Sequence, residues 1–430
     1  MPDAPAGFPR LRLRDRASRL IELPWELPLA AWPASSLRFR DLPVGPSRHL
    51  VRFIVIDGLT FALKEEPLKV ATDEFDVLRH LEDAGLPAVL AVGLASVPER
   101  DSAILITEYL AYSIQYRRLL MRFPLGPGPY RDRLLDAMAS LLVDLHRAGV
   151  YWGDCSLANT LFRRDGDKIQ AYLVDAETSE IHPTLSDGQR AYDLDILVEN
   201  VAFGLADLAA MQDRPEGFED AMAAAETVRT RYCAVWEELH LEPELSPGDR
   251  HAIRARIRRL NELGFAIDEL VLEPIGPTSE IVRLRVAVAN RRFHGHELQK
   301  LTGLVALEGQ ARLLLNDLRE YQGWLEHQQR KPISTVDAAT RWLEDVLEPS
   351  LAALVPAIGP HRDSLQAYCD VLEEKWLLSE AAGHDVGLEA AMAVYLDLGA
   401  PAPEAGASLA DSSIALDIDW SGGLDIDEEA

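Results

Sequence analysis

The chain has 430 residues, 48% hydrophobic and 26% charged, an ordinary globular balance that leaves room for about two or three domains. Its 70 acidic residues against 43 basic ones give a formal charge of −27, which excludes broad non-specific nucleic-acid binding because the net field repels phosphate backbones. Cys155, Cys233 and Cys369 have no paired spacing and suggest neither a disulfide framework nor a zinc site; with no apolar run near the roughly 20 residues of a membrane helix, a cytoplasmic protein is expected.

In chain order, residues 1–45 are rich in Pro, Arg and Trp, with Pro24, Pro28, Pro33 and Pro43 breaking regular structure, so they read as an arm packed on a domain. Arg10, Arg12, Arg14 and Arg16 are followed by no apolar segment, so no secretory signal is expected. His49 to Ile56 and Leu59 to Leu63 are β-rich runs joined by Asp57-Gly58, a strong hairpin signal, and the second run ends at Lys64. A helix is predicted from Thr72 to Ala84, capped by Thr72 or Asp73 and stopped at Gly85, with Phe75, Leu78 and Leu81 on one face. Glu74 then falls in its first turn, where the helix dipole alone favours an acid. Runs at Ala88 to Ser96 and Ser102 to Glu108 complete an expected five-stranded antiparallel lobe with a single helix. Next come a Gly/Pro-rich loop, Pro124 to Pro129, and an amphipathic helix from Arg131 to Ala148.

The stretch from Gly149 to Asp175 carries the chemistry. Asp154 and Asn159 share a short loop before a predicted strand at Asn159 to Arg163, and Asp175 follows a second strand, Ile169 to Val174. The intervening Arg164-Asp165-Gly166-Asp167-Lys168 has the Asp-Gly signature of a hairpin turn, so pairing returns Asp175 to the side of Asn159. A carboxylate and an amide oxygen suit Mg²⁺, and a spare aspartate nearby can accept a proton from an attacking hydroxyl. Glu177, two residues on, reads either as a further metal carboxylate or as a solvated loop residue.

Asp-x-x-x-x-Asn followed by an apolar strand ending in Asp resembles the catalytic centre of the protein-kinase-like superfamily, most of all its small-molecule and lipopolysaccharide-kinase branch. The resemblance implies an α+β bilobal fold, a small antiparallel β lobe plus a helical lobe. It implies ATP and Mg as cofactors. Asp154 would serve the acceptor hydroxyl; Asn159 and Asp175, with Glu177 as a further candidate, would hold the metal. Lys64 would bind the α/β-phosphates, paired with Glu74, and Glu108 and Leu110 of a hinge would meet adenine through backbone groups. The phosphate loop would be Pro43 to His49, which has one glycine, with Ser47 and Arg48 as phosphate contacts. Asp193 or Asp195, near the start of a buried helix over Tyr192 to Met211, would pin the catalytic loop. Trp152-Gly153 replaces the His-Arg pair of regulated protein kinases, and the segment between Asp175 and Asp193 is short and lacks Ala-Pro-Glu. These departures imply a small-molecule or glycolipid acceptor rather than a peptide.

Beyond, Gly217 to Leu239 and Pro247 to Leu263 are amphipathic helices, the second with Arg250, Arg254 and Arg258 on one solvated face. A strand pair spans Ala266 to Leu272 and Ile281 to Ala289. His294-Gly295-His296 reads as a polar helix start rather than a metal site. Helices follow at His296 to Leu307, Gln310 to His327, Thr335 to Leu354, Arg362 to Ala382 and Val386 to Leu398, with Trp324, Trp342, Tyr368, Trp376 and Tyr395 expected in their core. The region resembles an uncharacterised helical domain that follows kinase-like cores in bacterial chains. Residues 400–430 are acidic with no Lys or Arg and read as a disordered tail. The domains expected are an arm at 1–40, a kinase-like unit at 41–215, a helical accessory domain at 216–399 and the tail. The function expected is Mg-ATP-dependent transfer of a phosphate to a small-molecule, sugar or glycolipid hydroxyl. The alternatives are a non-catalytic nucleotide-binding scaffold and a Ser/Thr protein kinase, and the helical half is a candidate protein-partner surface.

Overall fold

The computed structural model describes residues 9–42, 48–96, 100–116, 119, 128–211, 217–246, 248–276, 281–359 and 362–401. Ser47, most of the expected phosphate loop and the acidic stretch from 402 onward lie outside the described residues.

The first body is a six-stranded antiparallel sheet, ordered β1 (Arg10–Leu13), β5 (Ala91–Ser96), β6 (Ser102–Glu108), β4 (Leu59–Pro67), β3 (Leu50–Ile56) and β2 (Phe39–Arg40). Two strands more than the hairpin and the two apolar runs come from the arm, one at each edge of the sheet. Strand alternation gives the sheet two apolar faces. Ile104 and Ile106 meet Leu20, Trp25 and Trp32 of the arm, whose indole rings lie edge to face 5.1 Å apart. Leu105 faces the other way, toward Phe75, Leu78 and Leu81 of helix α1 (Leu68–Asp83). That helix starts four residues before the expected Thr72, because β4 runs on to Pro67, which serves as the N-cap without a side-chain bond. A proline there sets the helical turn and gives up an N–H that no helix carbonyl would have used.

The second body is built on α2 (Pro129–Arg147), α3 (Asp187–Met211) and α4 (Gly217–His240). A two-residue strand β7 (Ile114–Gln115) extends the hairpin of β9 (Thr160–Asp165) and β10 (Lys168–Leu173), and β8 (Val150–Tyr151) pairs with β11 (Glu180–Ile181). The two bodies meet where the Val89 N–H donates to the Leu173 carbonyl at 2.9 Å. The fold is thus α+β and bilobal, as the kinase-like resemblance implied. Helix α3 is less buried than its apolar sequence suggests: it packs on α4 along one stripe and leaves Tyr192 and Phe203 more than half exposed.

After α4 come β12 (Glu244–Leu245), α5 (Arg250–Glu262), β13 (Ile267–Pro274) and β14 (Val282–Val288), the strands forming a small sheet ordered β12, β14, β13. Helices α6 (Phe293–Thr302), α7 (Glu308–Gln329), α8 (Thr335–Trp342), α9 (Glu348–Ile358), α10 (Ser364–Ala382) and α11 (Leu388–Asp397) enclose a separate core around Leu314, Trp342 and Tyr368. Helices α8 and α9 are one rod joined through a π-helical turn at Leu343–Leu347. Trp342, Tyr368 and Tyr395 are buried as expected, whereas Trp324 and Trp376 are 55% and 61% exposed. Trp324 lies at the edge of the α7 stripe and stacks on Tyr321 instead of entering the core.

The helical half grips the tip of the β9–β10 hairpin. Asp165 accepts the backbone N–H of Gln310 at the start of α7 (2.8 Å), and Gly166 exchanges two bonds of 2.9 Å with the Gln366 amide. Arg163, Arg164 and Asp167 pair with Asp363, Glu373 and Arg312. Arg164, Asp165 and Gly166 of the polar turn are therefore buried, with charges paired and backbone groups bonded.

Candidate active site

Lys64 and Glu66 leave β4 on the same side, opposite Leu63, and project toward α1. The Lys64 ammonium lies 2.9 Å from Glu74, 3.0 Å from Glu66, 3.1 Å from Asp175 and 3.7 Å from Glu177. Burial alone would lower its pKa, but Glu74, Asp175 and Glu66 outweigh burial and raise it, so the ammonium is held charged. Because α1 begins at Leu68, Glu74 sits in the second turn, buried, where the helix dipole no longer accounts for it. Burial pushes its carboxyl upward, and Asp175 and Glu66 add to this against Lys64. Its second oxygen accepts the Ala176 N–H at 3.1 Å. Glu74 thereby fixes both Lys64 and the backbone that follows Asp175.

The loop after α2 is held from below. Asp193 is fully buried and accepts the N–H groups of Trp152 (2.7 Å) and Gly153 (2.8 Å), with His146 Nε2 at 3.1 Å. Asp195 is exposed and pairs with Arg229, so the choice between the two aspartates falls on Asp193. The far side of His146, Nδ1, faces the Tyr232 hydroxyl at 2.7 Å. Burial lowers the His146 pKa, so the ring is neutral, its Nε2–H donating to Asp193 and its Nδ1 accepting from Tyr232. Two glycines permit the close approach. A side chain on Gly149 (φ +74°) would lie 2.0 Å from the His182 carbonyl, and one on Gly153 (φ +83°) would lie 2.7 Å from that of Thr178.

On that loop the Asn159 amide nitrogen donates to the Asp154 carbonyl (3.1 Å) and carboxylate (3.0 Å). With its nitrogen so engaged, the Asn159 amide oxygen points away from Asp154. The Val174 N–H donates to the Asn159 carbonyl at 3.1 Å, which brings Asp175 beside Asn159 across the hairpin as the turn signature required. Asp175 Oδ1 accepts from Lys64 and from the Glu177 N–H (3.2 Å). The donor set of an amide oxygen and a carboxylate fits a hard cation such as Mg²⁺.

Other candidates fall differently. Glu177 turns its carboxylate to His49 (3.2 Å) and to Lys64 (3.7 Å). Arg48 is exposed beside His49, and Ser47 is outside the described residues. At the hinge, the Glu108 N–H donates to Leu90 and the Tyr109 N–H to Thr60, while the Leu110 carbonyl accepts from Ser113. Four participants were missed from sequence: Glu66, His49, His146 and Tyr232. Glu66 was legible in principle, two residues beyond Lys64 on an alternating strand. His146 and Tyr232 are 86 positions apart, and no local pattern joins them.

Residues 57–213 match the lipopolysaccharide kinase (Kdo/WaaP) family and residues 234–398 match a domain of unknown function (DUF4032). Among curated proteins, the chain is 29% identical over 129 residues to the lipopolysaccharide core heptose(I) kinase WaaP of Pseudomonas aeruginosa, a match covering 27% of this chain and 48% of that protein. The chain thus spans about half the length of this relative. Among solved structures, "WaaP in complex with acyl carrier protein" aligns at 20% identity and a TM-score of 0.35, covering 59% of this chain and 99% of that one. Residues 57–213 are accordingly similar to the Kdo/WaaP lipopolysaccharide kinase family, and residues 234–398 to the domain of unknown function.

Proposed function

We propose that the chain transfers the γ-phosphate of ATP to a hydroxyl of a sugar or glycolipid acceptor, in a catalytic unit of about residues 41–215. The observation that carries this reading is the joining of Lys64, Glu74 and Asp175 within 3.1 Å contacts, beside a loop in which Asn159 is bonded to Asp154. Lys64 holds the α/β-phosphates, and Glu74 keeps its ammonium at one place in the cleft. Asp154 accepts the proton of the acceptor hydroxyl as that oxygen bonds to the γ-phosphorus and the bridging bond to ADP breaks. Asn159 and Asp175 are the residues that would hold Mg²⁺, which would supply charge neutralisation to the phosphates. Positioning and charge neutralisation then supply most of the rate, as expected of phosphoryl transfer.

The family match supports a sugar or glycolipid acceptor. So does the short connection from Asp175 to α3, which contains only the small strand Glu180–Ile181 and gives little platform for a peptide. The test is ADP release by the purified chain with Mg-ATP and lipopolysaccharide core sugars. Asp154→Asn should lower kcat at least 100-fold and leave ATP binding intact. Absence of both ATP binding and turnover, with Asp175→Ala indistinguishable from the parent, would overturn the reading.

A further inference from the structure

We infer that His49, Glu66 and Glu177 form a second cation site, for a divalent transition-metal ion such as Mn²⁺, separate from the Asn159–Asp175 pair. One ligand atom from each of the three lies within 4.8 Å of the others. One observation independent of that clustering points to a ligand. Glu66 is 2% exposed, and neither of its carboxylate oxygens receives a hydrogen bond among the described residues. Its Oε2 has Lys64 at 3.0 Å as an ion pair without hydrogen-bond geometry, and its Oε1 is buried without a hydrogen-bond partner among the described residues. A buried carboxylate oxygen in that state is costly until something positive meets it.

The donor chemistry agrees with it. Four carboxylates surround the one Lys64 ammonium, which makes the pocket anionic before any phosphate arrives. An added cation relieves that excess. Two carboxylates and one imidazole form a mixed oxygen and nitrogen set that suits Mn²⁺ or Zn²⁺ better than the all-oxygen shells of Ca²⁺ and Mg²⁺. His49 and Glu177 are partly exposed and already 3.2 Å apart, so rotation of their side chains closes the set, while Glu66 bridges Lys64 with one oxygen and the ion with the other. Three protein ligands leave positions for water or a phosphate oxygen. The ion would also tie the head of β3 to the segment after Asp175.

The experiment uses the full chain without nucleotide, so its outcome does not depend on phosphate transfer. Mn²⁺ is titrated and followed by electron paramagnetic resonance, with pulsed measurement of coupling to the imidazole ¹⁴N. Bound Mn²⁺ should show that coupling in the parent and in Asp175→Asn. His49→Ala should abolish the coupling and weaken Mn²⁺ binding at least tenfold, and Glu66→Gln should weaken it comparably. Parent protein without ¹⁴N coupling, or His49→Ala with unchanged coupling and affinity, overturns the site. His49 is partly exposed, so its variant decides the matter even if Glu66→Gln fails to fold.

Discussion

Asp193 receives three donors at one buried carboxylate, and two of them are backbone amides of the loop that carries Asp154. Replacing it with alanine orphans those amides at about 1–3 kcal/mol each. Asp193→Ala should therefore show a lower urea midpoint with the same m-value, and a turnover loss larger than any change in ATP affinity. Tyr232→Phe removes only the outermost bond of the chain through His146 and should cost about 0.5–1.5 kcal/mol in the same assay. Equal losses from the two variants would mean that Asp193 does not anchor the loop. At this scale the sequence was informative wherever a residue's role depended on near neighbours. Asp154, Asn159 and Asp175 were found because one hairpin turn dictates their meeting. His49 was not, because its partner Glu177 comes from the opposite side of the cleft.

Elements were legible in proportion to their length and periodicity. The hairpin of β3 and β4, the core of α1 and the β9–β10 pair follow from alternation, a 3.6-residue stripe and Asp-Gly turns. The start of α1 did not, because a strand runs straight into it through Pro67 and no Ser, Thr, Asp or Asn caps it. The strands of the arm, four and two residues long, are too short to show a period. Apolar composition misled at Trp324 and Trp376, since composition says how oily a helix is and only packing says which stripe faces inward. The β8–β11 pair gives a sharp test of local geometry. Gly149→Ala places a methyl against the His182 carbonyl in a left-handed conformation and should cost at least about 2 kcal/mol, read as a lowered thermal midpoint. A stability equal to the parent would show that the loop yields without cost.

At the scale of the whole molecule, the hairpin bearing the Asn159 and Asp175 ends is also one of the contacts through which the helical half holds the bilobal body. A side chain on Gly309 would sit 2.2 Å from the Asp165 carbonyl. Gly309→Val should therefore uncouple the helical half, giving two calorimetric transitions where the parent is expected to give one, and turnover should fall with it. The same junction makes stability depend on pH. Burial pushes the Asp370 carboxyl, which lies beside Arg164 and Gln366, up to about 6 from an ordinary 3.8. Between those values the folded chain keeps a proton that the unfolded chain has lost, so this contribution is complete below about 3.8 and disappears as pH rises through about 6. Asp370→Asn should flatten the fall in melting temperature across that window, and an unchanged slope would assign it to other groups.

The arm binds both margins of the six-stranded sheet and so covers its edges. Its two strands replace the long hydrogen-bonding rims of β3 and β5 with short ones bearing Arg10, Arg12 and Arg40, a pattern that discourages strand exchange between molecules. Removing residues 1–40 would leave those rims bare, together with the apolar face that Trp25 and Trp32 cover. The truncated chain should self-associate with rising concentration on a sizing column while the intact one does not. The arm is in that sense a built-in guard against polymerisation, wrapped around the lobe whose sheet would otherwise be the most adhesive surface of the protein.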